Sequence, residues 1–424
     1  MTNTHVSPAE LPGIEPPAAS WGKEVVSAGP ELRRRIPARA GAEKEAVVVL
    51  GAGGAFAPEL LNGLILQETG LVIGIDIHLT YRVDGVVYRH VDLCNEQAVR
   101  AFFLSLENVL RERGLELTTI YDLSTTQTSP NENANRGSLG VGKLLLLDIL
   151  CEREHDVHYM FMSTAEVYGA PEGAPYREEH TKLPFNPYGR HKLKEEAQIL
   201  EAHGRRTRGG ALRTTALRCW TICMVNVSDD GTILSARNYN DPFIMIAQNL
   251  SAAGVRVPVA GSEYRAQFHL AEEVAEVCIL LGNAASNAAT WSGKAYNCIG
   301  RASTHEELSK VCFEVFSDAS TSNPWWSFLA RGLLKGGRLP KPLLAGFANA
   351  LELAGGLLGA RDLAGRLPFL YRSTDLDTSE LQGLIGEKLT HPRGSSSIDA
   401  ARRLALGFRN GGTHALNVRR YEMY

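Results

Sequence analysis

The sequence predicts an α/β fold in which a doubly wound parallel sheet carries helices on both faces. Three observations predict it: short apolar strands alternate with helical segments, a glycine-rich turn follows the first strand, and polar residues gather where strands end. Ligands of such sheets bind outside the carboxyl ends of the strands. We therefore expect a Rossmann-type sheet, with a smaller, mostly C-terminal α/β domain for the substrate.

Composition limits the possible functions. The 424 residues are 44% hydrophobic and 21% charged, with a formal net charge of −3, which is an ordinary composition for a soluble globular protein. The near-neutral charge gives no indication of nucleic-acid binding. The seven cysteines are scattered and odd in number, which favours a reducing, cytoplasmic location. No second ligand pair lies near Cys219 and Cys223, so we predict no metal site.

The chain divides into three parts by composition. Residues 1–44, rich in Pro, Ala, Gly and charge, are predicted to form a disordered leader with a basic cluster at Arg33–Arg35 and Arg39. We expect the Rossmann-type domain over 45–225, with strands returning from about 255–300. The substrate-binding domain and lid are expected over 226–254 and 301–424. Within the lid, the Leu-rich segment 324–370 predicts a packed helix, with a membrane-surface helix as the alternative and no membrane span.

The first strand, residues 46–50, ends in a glycine turn that opens a helix over 58–68. Glycines at such a turn allow backbone N–H groups and the helix N-terminus to approach a pyrophosphate. The spacing is Gly-x-x-Gly-x-x-Ala, which alone is a weak signal. The candidate cofactor-binding residues here are Gly51, Gly53, Gly54, Ala55 and Phe56.

Asp76 ends the second strand, residues 71–77, about twenty residues after the turn. A carboxylate at this position accepts hydrogen bonds from the adenosine ribose and repels a 2′-phosphate, which predicts NAD rather than NADP. Capping of a loop is the alternative role for Asp76. The third unit, residues 87–93, ends in Asp92 and Leu93, which we expect near the adenine edge.

The fourth and fifth strands complete this half of the predicted sheet. A helix over 96–113 precedes the fourth strand, residues 117–123, which opens into a polar loop containing Ser124, Thr125 and Thr126. A helix over 139–152 follows. The fifth strand, residues 158–162, delivers Ser163 and Thr164 at its carboxyl end. All these polar residues should therefore lie at one edge of the sheet.

Tyr188 and Lys192 lie four residues apart at the start of a predicted helix that ends near residue 203, so they share one helix face. A phenol titrates near pH 10 and becomes a base at neutrality only when a neighbouring cation stabilises the phenolate. Lys192 is placed to supply that cation, and Thr164 to hydrogen-bond the same reacting oxygen. A solvated helix face is the alternative reading of the Tyr-x-x-x-Lys spacing.

The rest of the chain alternates in the same way. The predicted elements are a strand over 215–224, a loop over 227–241, a helix over 242–253, a strand over 255–260, a helix ending near 281, a strand over 295–299 and a helix over 304–316.

Together these motifs resemble those of the extended short-chain dehydrogenase/reductases, from about residue 46 to residue 403. The resemblance rests on the glycine turn, Asp76, Asp92-Leu93, Ser163-Thr164-Ala165-Glu166-Val167-Tyr168-Gly169, Tyr188-x-x-x-Lys192, Arg265 with His269, and Tyr296-Asn297. The hydroxyl-rich strand is most similar to the nucleotide-sugar branch, which includes epimerases, UDP-glucuronate decarboxylases and 4,6-dehydratases.

The resemblance implies a role for each matched residue. Tyr188 would be the catalytic acid/base, Lys192 would hold the nicotinamide ribose and lower the tyrosine pKa, and Thr164 would orient the substrate hydroxyl. Glu166 would face the sugar ring, as a general acid/base, and Arg265 would bind the substrate diphosphate through its planar fork. Glu166 has an alternative, structural role: its carboxylate would cap a helix or form a salt bridge near Arg218 or His269. Family members commonly form homodimers through the helices after the fourth and fifth strands.

Three departures from the family pattern limit the reactions expected of this chain. The 4,6-dehydratases have an Asp where this chain has Ala165, so loss of water is disfavoured. Thr221 replaces the Asn expected near the diphosphate, and Thr125-Thr126 replaces Ala-Ala after the fourth strand. Thr126 and Thr221 remain candidate substrate contacts.

These observations predict an NAD-dependent epimerase or decarboxylase of a nucleotide sugar, acting through a transient keto-sugar. A dehydrogenase or reductase of a hydrophobic, steroid-like alcohol is the first alternative, because of the Leu-rich segment and the altered strand after Arg218. A non-catalytic dinucleotide-binding protein is the second, although such a protein would not need Thr164, Tyr188 and Lys192 together.

Overall fold

The computed structural model describes residues 24–124, 141–169, 173–184, 186–206, 208–237, 263–282, 291–317 and 372–410, with single positions between 244 and 257 and between 342 and 346. Most of the helix predicted over 242–253, the strand predicted over 255–260 and the Leu-rich segment 324–370 therefore lie outside the described residues. Within the described ranges, no helix is long and apolar enough to cross a bilayer.

A seven-stranded parallel sheet forms the centre of the molecule and confirms the predicted fold class. The strands are β1 (Glu45–Leu50), β2 (Leu71–Asp76), β3 (Val87–His90), β4 (Glu116–Asp122), β5 (Val157–Thr164), β6 (Leu212–Cys219) and β7 (Lys294–Asn297). Their order, from one edge to the other, is β7-β6-β5-β4-β1-β2-β3, so the chain runs outward in both directions from β1. This reversal creates the crevice in which such sheets bind ligands.

Helices cover both faces because each central strand is apolar on both sides. In β1, Val47 and Val49 point into one hydrophobic core, whereas Ala46, Val48 and Leu50 point into the other. The described helices are α1 (Pro30–Arg35), α2 (Ala57–Leu66), α3 (Glu96–Arg113), α4 (Val141–Cys151), α5 (Pro187–Glu201), α6 (Ala271–Gly282), α7 (His305–Ser317), α8 (Ser379–Ile385) and α9 (Ser397–Asn410).

The strand predicted over 215–224 is wrong as a single element. β6 ends at Cys219, and residues Thr221–Cys223 leave the main sheet to pair in parallel with Phe268–Leu270. The predicted loop after it contains the strand Ile233–Ala236, which pairs antiparallel with Val225–Val227. A continuous apolar run does not reveal where a strand passes from one sheet to another, because both sheets bury it.

The predicted disordered leader is wrong for residues 24–44. Glu24–Val25 pairs with Tyr81–Arg82, and Leu32 and Ile36 are buried in the core against α2 and α6. The side chain of Arg35 is 2% exposed, and its Nη1 lies 2.9 Å from Glu276 Oε2. Its Nη2 lies 2.8 Å from Glu31 Oε1 and 3.3 Å from Glu273 Oε1. Part of the basic cluster thus anchors α1 to α6.

A second buried ion pair joins the glycine turn to the chain beyond β6. Glu59, on α2, pairs with the guanidinium of Arg237 and accepts a 2.8 Å hydrogen bond from the side-chain amide of Asn226. Arg237 Nε also donates to the Ala55 carbonyl at 3.2 Å. Asn226 and Arg237 follow the boundary predicted at residue 225, and the division into domains stays a prediction.

We predict that Arg35→Met lowers the free energy of unfolding by about 3–5 kcal/mol, because it leaves buried carboxylates without their cation. The exposed Arg33 is the matched control, and Arg33→Met should change this free energy by less than about 0.5 kcal/mol. Urea unfolding of both variants measures the difference. Equal midpoints for the two variants would show that α1 is not anchored by Arg35.

Candidate active site

The glycine turn after β1 is packed so tightly that two of its positions exclude a side chain. Gly51 has φ +76°, and a Cβ there would lie 2.7 Å from the Ser124 backbone. A Cβ on Gly53 would lie 1.8 Å from the His78 carbonyl oxygen. Gly54 closes the turn by donating its N–H to the Gly51 carbonyl at 3.1 Å. The turn therefore presents backbone rather than side chains to the crevice, as a pyrophosphate site requires.

The Asp76 carboxylate lies against this turn, at the carboxyl end of β2. Its Oδ2 accepts a hydrogen bond from Gly53 N at 2.8 Å, and its Oδ1 accepts from Ile77 N at 2.7 Å and His78 N at 3.1 Å. Burial raises the pKa of Asp76 above its ordinary value, although these backbone donors oppose the shift. Asp76 thus caps the loop, and it does so at the position expected of a ribose ligand.

The neighbouring cofactor candidates lie at the same edge of the sheet. Asp92 and Leu93 follow β3 in a turn, where Asp92 Oδ1 accepts from Cys94 N at 2.8 Å and Leu93 packs against the core. Ser124 follows β4 and touches the glycine turn. Thr125 and Thr126 lie outside the described residues, so their expected contacts stay predictions.

A buried polar network fixes the strand and helix that carry the catalytic candidates. Glu196, on α5, binds the Arg218 guanidinium of β6 through both carboxylate oxygens, at 2.5 and 3.0 Å. It also accepts a 2.6 Å hydrogen bond from Ser163 at the end of β5. Arg218 Nη1 donates to the Tyr168 hydroxyl at 2.7 Å, which donates to Asn297 Oδ1 at 2.8 Å. Three strands, α5 and the turn after β5 are joined in this way.

Lys192 is almost fully buried, at 2% exposure, and two backbone carbonyl groups hold its ammonium in place. Its Nζ donates to the Met162 carbonyl of β5 at 2.9 Å and to the Ser124 carbonyl after β4 at 3.2 Å. It also lies 4.4 Å from the centre of the Phe161 ring. Burial lowers the pKa of Lys192 to about 8.

Tyr188 lies one helical turn before Lys192, and its side chain is partly exposed. α5 begins at Pro187 because Asn186 caps it, with the side-chain oxygen accepting from Gly189 N at 2.7 Å. Both residues lie in this helix, so the prediction that Tyr188 and Lys192 share one helix face is confirmed.

Thr164 and Glu166 lie beside the start of α5. The buried Thr164 caps a short helical turn by accepting from Glu166 N at 3.2 Å. The Glu166 carboxylate accepts a 2.5 Å hydrogen bond from the side-chain amide of Asn186. Arg218, an expected alternative partner of Glu166, is bound instead to Glu196.

The two remaining substrate candidates lie further along the chain. Thr221 is partly buried in the short strand that leaves the main sheet. The half-exposed Arg265 donates to the Ala302 carbonyl at 2.9 Å, and its Nε lies 3.5 Å from Asp375 Oδ2. A substrate diphosphate would compete with that carboxylate for Arg265, so the predicted roles of both residues stay predictions.

The sequence analysis missed a charged cluster beneath Lys192. Lys143, on α4, lies 2.9 Å from Asp122 Oδ2 and 2.6 Å from Glu195 Oε1, and all three side chains are buried. A single lysine within the apolar run of α4, and an aspartate ending the apolar β4, were the available signals. Among the described residues, no group of three or more His, Cys, Asp or Glu side chains could hold a metal ion.

We predict that Gly53→Ala weakens NAD binding by at least tenfold, because its Cβ would displace the backbone at His78 and with it Asp76. Gly383, within α8, is the matched control, because a Cβ there meets nothing within 4 Å. Gly383→Ala should leave NAD affinity unchanged and the fold slightly stabilised. Calorimetric titration with NAD measures both, and equal affinities would contradict a cofactor role for the turn.

We predict that turnover falls as the pH rises through about 8, where Lys192 loses its ammonium charge. The pKa of Lys192 in the folded state lies below the ordinary 10.5, so its contribution to stability increases with pH between these values. Unfolding linked to the titration of Lys192 therefore cannot explain the loss of turnover as the pH rises through about 8. A pH–rate profile with circular dichroism at each pH separates activity from folding, and a flat profile from pH 7 to 9 would contradict the assignment.

A family model and a curated relative each match a part of this chain. The family model described as GDP-mannose 4,6 dehydratase matches residues 87–208, which include Tyr188 and Lys192. A UDP-glucose 4-epimerase of Azospirillum brasilense is 49% identical over 51 residues, which are 11% of this chain and 15% of the epimerase.

Solved structures share the fold along most of the chain. A UDP-glucose 4-epimerase of Thermotoga maritima, solved with UDP-glucose, has a TM-score of 0.52 and 18% identity, and the match covers 86% of this chain and 99% of that one. The enzyme WbmG of Bordetella bronchiseptica, in complex with NAD, has a TM-score of 0.56 and 15% identity, with 86% and 94% covered. The terminal R domain of the myxalamid PKS-NRPS pathway has a TM-score of 0.57 and 16% identity, with 91% and 96% covered.

At these identities the solved structures establish the fold and leave the reaction open. The family-model match, the sheet order and the geometry around Tyr188 and Lys192 agree with one another. In sequence over residues 87–208 and in sheet order, this chain resembles the extended short-chain dehydrogenase/reductases of the NAD-dependent epimerase/dehydratase type.

Proposed function

We propose that this chain is an NAD-dependent epimerase or decarboxylase of a nucleotide sugar that acts through a transient keto-sugar. The observation that carries this proposal is the position of Lys192. Its ammonium is held by the carbonyls of Met162 and Ser124, one helical turn from Tyr188 and beside the strand end that carries Thr164. A solvated helix face would not bury the lysine in this way.

The glycine turn and Asp76 fit NAD as the cofactor. Gly51 and Gly53 leave room for backbone alone. Three backbone N–H groups bind the Asp76 carboxylate, which has about four acceptor positions, so a ribose hydroxyl can still donate to it. The negative charge opposes the 2′-phosphate of NADP. When bound, NAD supplies the acceptor and donor of a hydride.

Tyr188 is the proposed general base for a ring hydroxyl of the substrate. The ammonium of Lys192 stabilises the phenolate, so that the phenol can give up its proton near neutral pH. Thr164 uses an oxygen lone pair to accept from Glu166 N, which leaves its O–H to donate to the reacting oxygen. Tyr188 and Thr164 thereby both bind the reacting hydroxyl of the substrate before it is oxidised.

Glu166 and Ala165 decide between the reactions open to a keto-sugar. The Asn186 amide orients the Glu166 carboxylate, which we propose acts on the ring or its substituent as a general acid/base. Ala165 is fully buried, with no side chain able to give up a proton, which disfavours dehydration. Return of the hydride to the opposite face gives epimerisation, and loss of a neighbouring carboxylate before its return gives decarboxylation.

The alternative is net oxidation or reduction of a hydrophobic alcohol or ketone. The chain after β6, where the family pattern is altered, carries the partly buried Trp220, Ile222 and Met224, which pack against the neighbouring hydrophobic cores. This altered strand is the observation behind the alternative. Homodimer formation through α4 and α5 and a cytoplasmic location stay predictions.

We predict that the purified protein converts UDP-glucose, UDP-galactose or UDP-glucuronate without accumulating NADH. Tyr188→Phe should lower turnover by about 10²–10⁴-fold, because the proton acceptor is lost, while NADH affinity is retained. Product chromatography, absorbance at 340 nm and NADH fluorescence titration measure these quantities.

The same measurements distinguish the competing functions. Stoichiometric NADH release with a lipophilic alcohol, and no conversion of any UDP-sugar, would select the alternative. Unchanged turnover in Tyr188→Phe would remove Tyr188 from the mechanism. NAD binding without any turnover would favour a non-catalytic dinucleotide-binding protein.

A further inference from the structure

Two lysines and two carboxylates form a buried charged cluster where side chains of α4 and α5 meet the end of β4. The members are Asp122, Lys143, Lys192 and Glu195, each exposed by 4% or less. They come from three elements: β4, α4 and α5. Burial of four charges is costly unless they pair closely, so their arrangement is expected to serve a purpose beyond stability.

Lys143 is the centre of this cluster. Its Nζ lies 2.9 Å from Asp122 Oδ2 and 2.6 Å from Glu195 Oε1. Burial alone would lower the pKa of Lys143, but the two carboxylates outweigh it and raise the pKa. Burial alone would likewise raise the pKa of Asp122, but the ammonium groups of Lys143 and Lys192 hold it below its ordinary value. Lys143 and Asp122 are therefore a fixed, ionised pair.

Asp122 connects this pair to the carbonyl that holds Lys192. Its Oδ1 accepts from the Ser124 hydroxyl at 2.6 Å and from Ser124 N at 3.0 Å. Its Oδ2 accepts from the Tyr159 hydroxyl at 2.7 Å. Ser124 is thus held at two atoms, and its carbonyl oxygen accepts from Lys192 Nζ at 3.2 Å.

Both lysines also lie near the Phe161 ring, whose centre is 5.2 Å from Lys143 Nζ and 4.4 Å from Lys192 Nζ. Two ammonium groups near one ring repel each other, whereas Asp122 and Glu195 attract both. The charged groups that act on the Lys192 pKa are Glu195, Lys143, Asp122 and Glu196. Tyr188 and His191 are titratable groups within about one turn of Lys192 on the same helix, and Tyr159 is bonded to Asp122.

We propose that Lys143, with Asp122 and Glu195, is a positioning residue for the proposed catalytic pair, fixing the Ser124 carbonyl and setting the charge on Lys192. The proposal rests on the function proposed for Tyr188 and Lys192. Lys143 acts through Lys192 and does not itself contact the reacting atoms.

The charges predict opposite effects for two substitutions. Lys143→Met removes a cation that lowers the Lys192 pKa, so the titration midpoint of Lys192 should rise. Glu195→Gln removes an anion that raises it, so the midpoint should fall. The double variant should return the midpoint toward that of the native chain. Lys194→Met, at an exposed position on the same helix, is the matched control and should leave the midpoint unchanged.

The midpoint can be measured without substrate, by NMR titration of protein carrying ¹³C at the lysine ε-carbon, with Lys192→Arg identifying the signal. A failure to turn over UDP-sugars would overturn the proposed function and leave this titration readable. Circular dichroism checks each variant, and if Lys143→Met does not fold, Glu195→Gln decides alone. Opposite shifts support the positioning role, whereas a folded Glu195→Gln whose midpoint equals that of Lys194→Met overturns it.

Discussion

The two-point contact between Glu196 and Arg218 is the interaction on which the geometry of the site depends. It joins α5 to β6 inside the protein, and Ser163 adds the end of β5 to the same carboxylate. α5 carries Tyr188 and Lys192, and β5 carries Thr164. The relative position of Tyr188 and Thr164 is therefore set by a buried ion pair. Its planar geometry defines an orientation as well as a distance.

Lys192 shows how the fold changes the chemistry of an ordinary side chain. Two carbonyls and an aromatic ring replace the water around its ammonium. The backbone oxygens belong to β5 and to the loop after β4, so the charge is located where parallel strands end. Burial brings its pKa close to physiological pH, which makes the group sensitive to nearby charges.

The sequence was sufficient for features that depend on local pattern. Alternation of strands and helices, the glycine turn and Asp76 predicted the sheet and its ligand edge, because each depends on spacing within a few residues. The passage of the chain out of the sheet after Cys219 was not predictable, since it depends on the distant strand Phe268–Leu270. Order in residues 24–44 depends likewise on Glu273 and Glu276, more than 200 positions away.

The site shows the same division between local and distant information. The spacing of Tyr188 and Lys192 was readable because a helix repeats every 3.6 residues. The contact between Lys143 and Asp122 was not, because α4 and β4 meet only in the folded protein.

The Glu59–Arg237 pair has a consequence for how this chain could exchange segments with relatives. Glu59 lies directly after the glycine turn, whereas Asn226 and Arg237 belong to the chain beyond β6. A chimaera joined between β6 and Asn226 would inherit the buried carboxylate from one parent and its partners from the other. Recombination at that border therefore keeps the buried pair intact only when one parent supplies Glu59 and the other supplies Asn226 and Arg237.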